Sequence, residues 1–131
     1  MKNIRAKRET SREYLMKLMY QTYISNGDIT DLENEMEEFL QNNKEYIVSR
    51  YKELVLTYSD KDVDFEGLSL EKCVDRVYLN EMCDILRFKI DYINELIENN
   101  AKNWSINRFS KIDLAILQIA IAEMLSDLNI P

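Results

Sequence analysis

Apolar residues return along this chain at intervals of three and four, the spacing that gathers them on one face of an α-helix. Leu15, Leu18, Met19 and Tyr23 form one such stripe. Thr10-Ser-Arg-Glu13 just before it reads as a capping box, in which the Thr hydroxyl accepts from the amide three residues on. The pattern predicts a first helix over 10–24, ended by Ser25-Asn26-Gly27-Asp28 with Gly27 as the left-handed residue. A second box, Thr30-Asp-Leu-Glu33, predicts a shorter helix with Leu32, Met36, Phe39 and Leu40 inward. A third spans 44–58, with Ile47, Val48, Tyr51, Leu54, Val55 and Tyr58 on one face.

The stretch 59–67 is acidic, carries a glycine and has no period, so it reads as a solvated loop. Asp60, Asp62, Asp64 and Glu66 alternate there, but the glycine falls at the wrong position for a calcium-binding loop. Helical spacing resumes over 69–99. That is long for one globular helix, and a break is expected near 82–86. The last helix opens at Ser110-Lys-Ile-Asp113. It is apolar on nearly every side from Ile112 to Leu125, interrupted by Asp113, Gln118 and Glu123. Such a helix needs neighbours all round.

Composition narrows the class. Two glycines and one proline in 131 residues leave few turns that need positive φ, so the fold is expected to be all-α and a single domain over 1–131. The net charge is −7, yet residues 1–17 alone carry a net of +4, leaving −11 on the remainder. This asymmetry reads as a basic arm, 1–9, on an acidic body. With no histidine, His-based catalysis and His-ligated metals are excluded. No nucleophile–base arrangement, phosphate-cradling glycine loop or metal cluster stands out, so no enzyme activity, cofactor or metal is expected. Cys73 and Cys83, placed on one helix, are too far apart to bridge and read as packed, reduced thiols. There is no secretory or membrane-spanning run, and a cytoplasmic protein is expected.

The C-terminal segment "NW-x-I-x-RF-x(2)-I-D-x-AIL-x-IA-x(2)-EML-x(4)-IP", from Asn103 to Pro131, resembles the most recognisable region of the NusB family of transcription antitermination factors. The N-terminus is similar too, with a basic arm, Arg12-Glu13, and Met19-Tyr20 where the family has Leu-Tyr. The resemblance implies about five to six helices in two small packed bundles around the apolar helix. Gln118 stands where the family usually has Arg, and Ala122 where it usually has Tyr. The family's chain continues past the Ile-Pro into final helices. The resemblance therefore implies a chain shortened through the fold, with Ile121 and Leu125 uncovered or covered by a partner, including a possible homodimer.

The function implied is RNA binding without catalysis. Together with the ribosomal protein NusE, the chain would hold single-stranded boxA-like RNA of ribosomal RNA transcripts within the transcription elongation complex. The residues expected to carry it are Lys2, Arg5, Lys7, Arg8 and Arg12, which can neutralise phosphates, and Tyr20, whose ring offers a stacking platform. The bland alternative for them is a frayed, solubilising tail and a packed tyrosine. Trp104 and Arg108, at i and i+4, read as a structural cation–π pair. Two other readings remain open: the RNA-binding domain of a ribosomal RNA cytosine methyltransferase, and an acidic helical protein-interaction module without RNA binding.

Overall fold

The computed structural model describes residues 3–58, 65–101 and 105–128. Lys2, Trp104 and the acidic residues Asp60, Asp62 and Asp64 lie outside these. The described residues form six α-helices and no strand: α1 (Ile4–Ile24), α2 (Leu32–Asn42), α3 (Lys44–Tyr58), α4 (Leu70–Cys73), α5 (Arg76–Asn100) and α6 (Lys111–Leu125). A single 3-10 turn, Ile106–Arg108, precedes α6. The all-α class expected from the pattern is the one observed.

Helix α1 is the hub, packing against each of the other five. It begins at Ile4, six residues before the expected Thr10 start. The supposed cap Thr10 is buried inside the helix, its hydroxyl donating to the Ala6 carbonyl at 2.7 Å. The reason is local and tertiary at once. Ala6 to Glu9 are good helix formers, Arg5 and Glu9 pair at i, i+4, and Ala6 is completely buried. Residues 4–9 are therefore the first turns of α1 and not a free arm. At the other end the helix stops at Ile24 as expected, but Asn26, not Gly27, takes the left-handed conformation, at φ 60°. The amides of Asn26 and Gly27 donate back to the carbonyls of Tyr23 and Thr22, a Schellman closure. At Gly27 the lack of a side chain avoids a tight contact, since a Cβ there would sit 3.3 Å from the Thr22 carbonyl oxygen.

Helix α2 starts at Leu32 after Asp31, and no side-chain capping bond forms from Thr30 or Asp31. Asp28 instead accepts from the Thr30 amide. Leu32, Met36 and Leu40 are buried as the stripe predicts. The long helical stretch breaks earlier than expected, at Val74 and Asp75. Val74 is extended, and Asp75 caps α5 by accepting from the Tyr78 amide at 3.0 Å. Residues 82–86 stay helical, with Met82, Cys83, Ile85 and Leu86 buried, and a second irregularity falls at Lys89. Cys73 and Cys83 thus sit on different helices, both buried and free. Burial pushes their thiols up to about 11 and about 12.

Helix α6 starts as the sequence indicates, with Ser110 Oγ accepting from the Asp113 amide at 3.1 Å. Its main packing is against α5 and α1. Leu114, Ala115, Ile119 and Ala122 are buried, while Ile112, Ile116, Leu117 and Met124 are exposed, Met124 by 75%. Among the described residues α6 therefore lacks the neighbours on every side that its composition predicts. Ile121 and Leu125, expected to be uncovered, are half-buried against the core. Gln118 is fully buried and fully used. Its carbonyl accepts from Tyr23 at 2.7 Å and its amide donates to Asn94 at 2.9 Å, tying α6 to α1 and α5. No buried side-chain polar atom among the described residues lacks a hydrogen bond.

Candidate nucleic-acid interface on the first helix

The nominated residues Arg5, Lys7, Arg8, Arg12 and Tyr20 all lie on α1, but the helix distributes them to different surroundings. At about 100° per residue, Lys7 stands about 160° from Arg5 and about 140° from Tyr20. Arg5 and Tyr20 are exposed, Arg8 and Arg12 turn towards α5 and α6, and Lys7 turns towards α3 and α4. Lys2 lies outside the described residues.

Arg12 is held in place. Its Nε and Nη2 donate to the two carboxylate oxygens of Glu123 at 2.7 and 2.9 Å, the bidentate geometry that suits a guanidinium. The Tyr78 hydroxyl donates to the same carboxylate at 2.7 Å, and the guanidinium carbon lies 5.8 Å from the Tyr78 ring centroid. The side chains of Arg12 and Glu123 are only 34% and 15% exposed. The bond to Glu123 raises the Arg12 pKa further against the opposing effect of burial. Burial first, then the bond to Glu123, pushes the Tyr78 phenol well up. One cluster thereby joins α1, α5 and α6.

Arg8 forms the companion contact. It donates from Nε and Nη2 to Asp75 Oδ2 at 3.3 and 3.0 Å. Asp75 also caps α5 and receives the Ser11 hydroxyl as acceptor for its own amide at 2.8 Å. Arg8 and Arg12 therefore bind the helices to one another before they meet any ligand. Sequence reasoning nominated both as phosphate contacts and missed their partners, Asp75 and Glu123. Glu123 carries a visible signal, a charge inside an otherwise apolar helix; Asp75 has only its capping preference.

Arg5, Lys7 and Tyr20 are differently placed. Arg5 pairs with Glu9 at 3.2 Å and lies 4.0 Å from the Tyr58 ring centroid, but its side chain is 69% exposed. Such a pair is weak and readily exchanged for a ligand. Glu9 also accepts from the Tyr58 hydroxyl, and that bond raises the phenol's pKa. Tyr20, 38% exposed, continues the row Glu9, Glu13, Met16 by helical spacing. Glu9, Glu13 and Met16 of that row line a groove of ≈ 460 Å³ between α1 and α6, together with Arg50, Ile116, Ile119 and Ala120. Arg50 donates to Glu13 at 3.0 Å across this groove. Arg108 is exposed; its expected partner Trp104 lies outside the described residues.

An all-helical domain built on a hub helix, with aromatic and basic side chains on that helix's open face and no helix among the described residues long and apolar enough to cross a membrane, is the class defined by this geometry. The chain belongs to the NusB family, whose family model matches residues 9–131. It is 35% identical over 124 residues to the transcription antitermination protein NusB of Clostridium botulinum strain Hall, an alignment covering 95% of this chain and 76% of that protein. The NusB proteins of Clostridium tetani and Clostridium novyi are 32% and 31% identical, again over 95% of this chain and over 76% and 73% of their own lengths. No solved structure matches the chain.

Proposed function

We propose that this protein is a non-enzymatic, cytoplasmic RNA-binding factor of transcription antitermination. It acts with the ribosomal protein NusE on boxA-like, single-stranded RNA of ribosomal RNA transcripts. The observation that carries this reading is membership of the NusB family, together with relatives whose names state transcription antitermination. The open face of α1 supports it: Tyr20 offers a stacking ring and Arg5 an exchangeable guanidinium. Lys2 and Lys7 add phosphate contacts at the same end of the chain, while Arg8 and Arg12 hold α1 in register with α5 and α6. The heterodimer adds NusE's surface to a modest RNA-binding face, so neither protein alone need bind tightly.

The test is the salt dependence of affinity for a boxA-like single-stranded RNA, with NusE present, between about 50 and 200 mM salt. Three to five phosphate contacts correspond to a slope of log K against log salt of about −2 to −3.5. A flat response, or no binding, overturns the RNA reading. Tyr20→Ala is expected to weaken binding by about 1–2 kcal/mol through the lost stack, with the salt slope unchanged.

A further inference from the structure

Six of this protein's seven arginines are already committed. Among the described residues Arg5, Arg8, Arg12, Arg50, Arg76 and Arg87 each pair with a carboxylate. Of the described lysines only Lys17 makes an ion pair, with Glu13. Three of the others converge from three helices. Lys7 of α1 and Lys72 of α4 line a polar pocket of ≈ 290 Å³ with Asn3, Ile4, Tyr51, Glu66 and Leu68. Lys52 of α3 stands with its ammonium 5.7 Å from the Phe65 ring centroid. Lys52 and Phe65 are the chain neighbours of Tyr51 and Glu66, which line that pocket, so the third lysine stands beside it. Among the described residues the three lysines there stand with one carboxylate, Glu66, on a chain whose net charge is −7.

We propose that Lys7, Lys52 and Lys72 form a phosphate-binding rim that takes backbone phosphates of single-stranded RNA on the α3–α4 side of α1. The proposal rests on the RNA-binding function above and extends it to residues on α3 and α4. An ammonium is a compact, strongly hydrated charge with rotatable donors, so it meets phosphates without the fixed geometry that a guanidinium demands. The charges come from three separate helices, which fits successive phosphates of a strand better than one small anion. Continuity supports the same ligand. Arg5 and Lys7 lie two residues apart on opposite sides of the first turns of α1, so a strand crossing that end passes from the Arg5 face to the rim.

The experiment compares three variants of the full chain with NusE and a boxA-like RNA: K7Q/K52Q/K72Q, K7R/K52R/K72R, and K44Q/K89Q/K111Q as a control with the same loss of charge. The rim glutamine variant is expected to lose about 10- to 100-fold in affinity near 100 mM salt. The magnitude of its salt slope should fall by about 2, near 0.7 for each phosphate contact on a single strand. The arginine variant should stay within a few-fold of the parent. The control should lose much less, with its slope retained. Equal losses for the rim and control variants would reduce the effect to net charge and overturn the proposal. An arginine variant as weak as the glutamine one would make the lysines a packing feature and do the same. A parent that binds with an unchanged slope in the rim variant defeats the rim alone; a parent that does not bind defeats the RNA function with it. Lysine acetylation read by mass spectrometry supplies the last arm. RNA should protect Lys7, Lys52 and Lys72, and equal protection by millimolar inorganic phosphate would assign the rim to a free anion instead.

Discussion

The two sides of α1 carry the same sign of charge and use it in opposite ways. Towards α5 and α6, Arg8 and Arg12 close on Asp75 and Glu123, with Tyr78 between them. Towards α3 and α4, Lys7 faces Lys72 across a pocket and Lys52 stands nearby; none of the three makes an ion pair among the described residues. The guanidinium fork matches a carboxylate with two parallel bonds, which makes it the better choice for fastening helices together in a half-buried seam. The lysines leave their charge unpaired by any carboxylate among the described residues, as the proposed phosphate rim requires. A basic N-terminal composition is therefore a poor measure of the charge available to a ligand, because Arg8 and Arg12 are structural.

This contrast can be broken from either side. Deleting residues 1–8 removes parts of both and should have the largest effect. The deletion strips the buried Ala6 and the Arg8–Asp75 contact and takes away the carbonyl that receives Thr10. A loss of about 3 kcal/mol or more is expected in urea denaturation, together with weaker RNA binding. Unchanged stability would restore a free arm.

Glu123→Ala breaks the fastened side alone. It leaves the Arg12 guanidinium and the Tyr78 hydroxyl without their acceptor. With Arg12 about a third exposed, solvent recovers part of the loss, so about 2 kcal/mol is expected rather than the larger figure for a fully buried pair. The salt slope of RNA binding should be kept, since the lysines are untouched.

The same seam should show in alkaline titration. Burial pushes Tyr23 up to about 12 and raises Tyr78 as well, so the fold favours both neutral phenols over an ordinary value near 10. The Tyr23 contribution is complete below about pH 10 and is lost as pH rises from there through about 12, and that of Tyr78 is lost in the same direction. Urea midpoints should fall over that window, and Tyr23→Phe should flatten the fall. The smallest effect belongs to the open side: Lys72→Gln should change stability by no more than about 0.5 kcal/mol, since the residue is exposed and makes only a long contact to the Gly67 carbonyl.

Periodicity was enough to place α3 over Lys44–Tyr58 and to end α1 at Ile24 and α6 at Leu125, because a helix's buried stripe is written within a few turns of sequence. The Ser110 cap was legible for the same reason. Where several local signals were compatible, packing chose between them. Thr10 had the residues of a cap and became a buried interior residue once Ala6 found a place in the core; Asp75 became the true cap because Val74 turned inward. The site was legible only in part. The candidate Tyr20 could be nominated from its position on α1, but the fates of Arg8 and Arg12 depended on residues 67 and 111 positions away, and the proposed rim draws on lysines from three helices. A sequence states where charges lie along the chain; which of them neutralise one another is set by the packing of distant helices, since ion pairs form only across distances of a few ångströms.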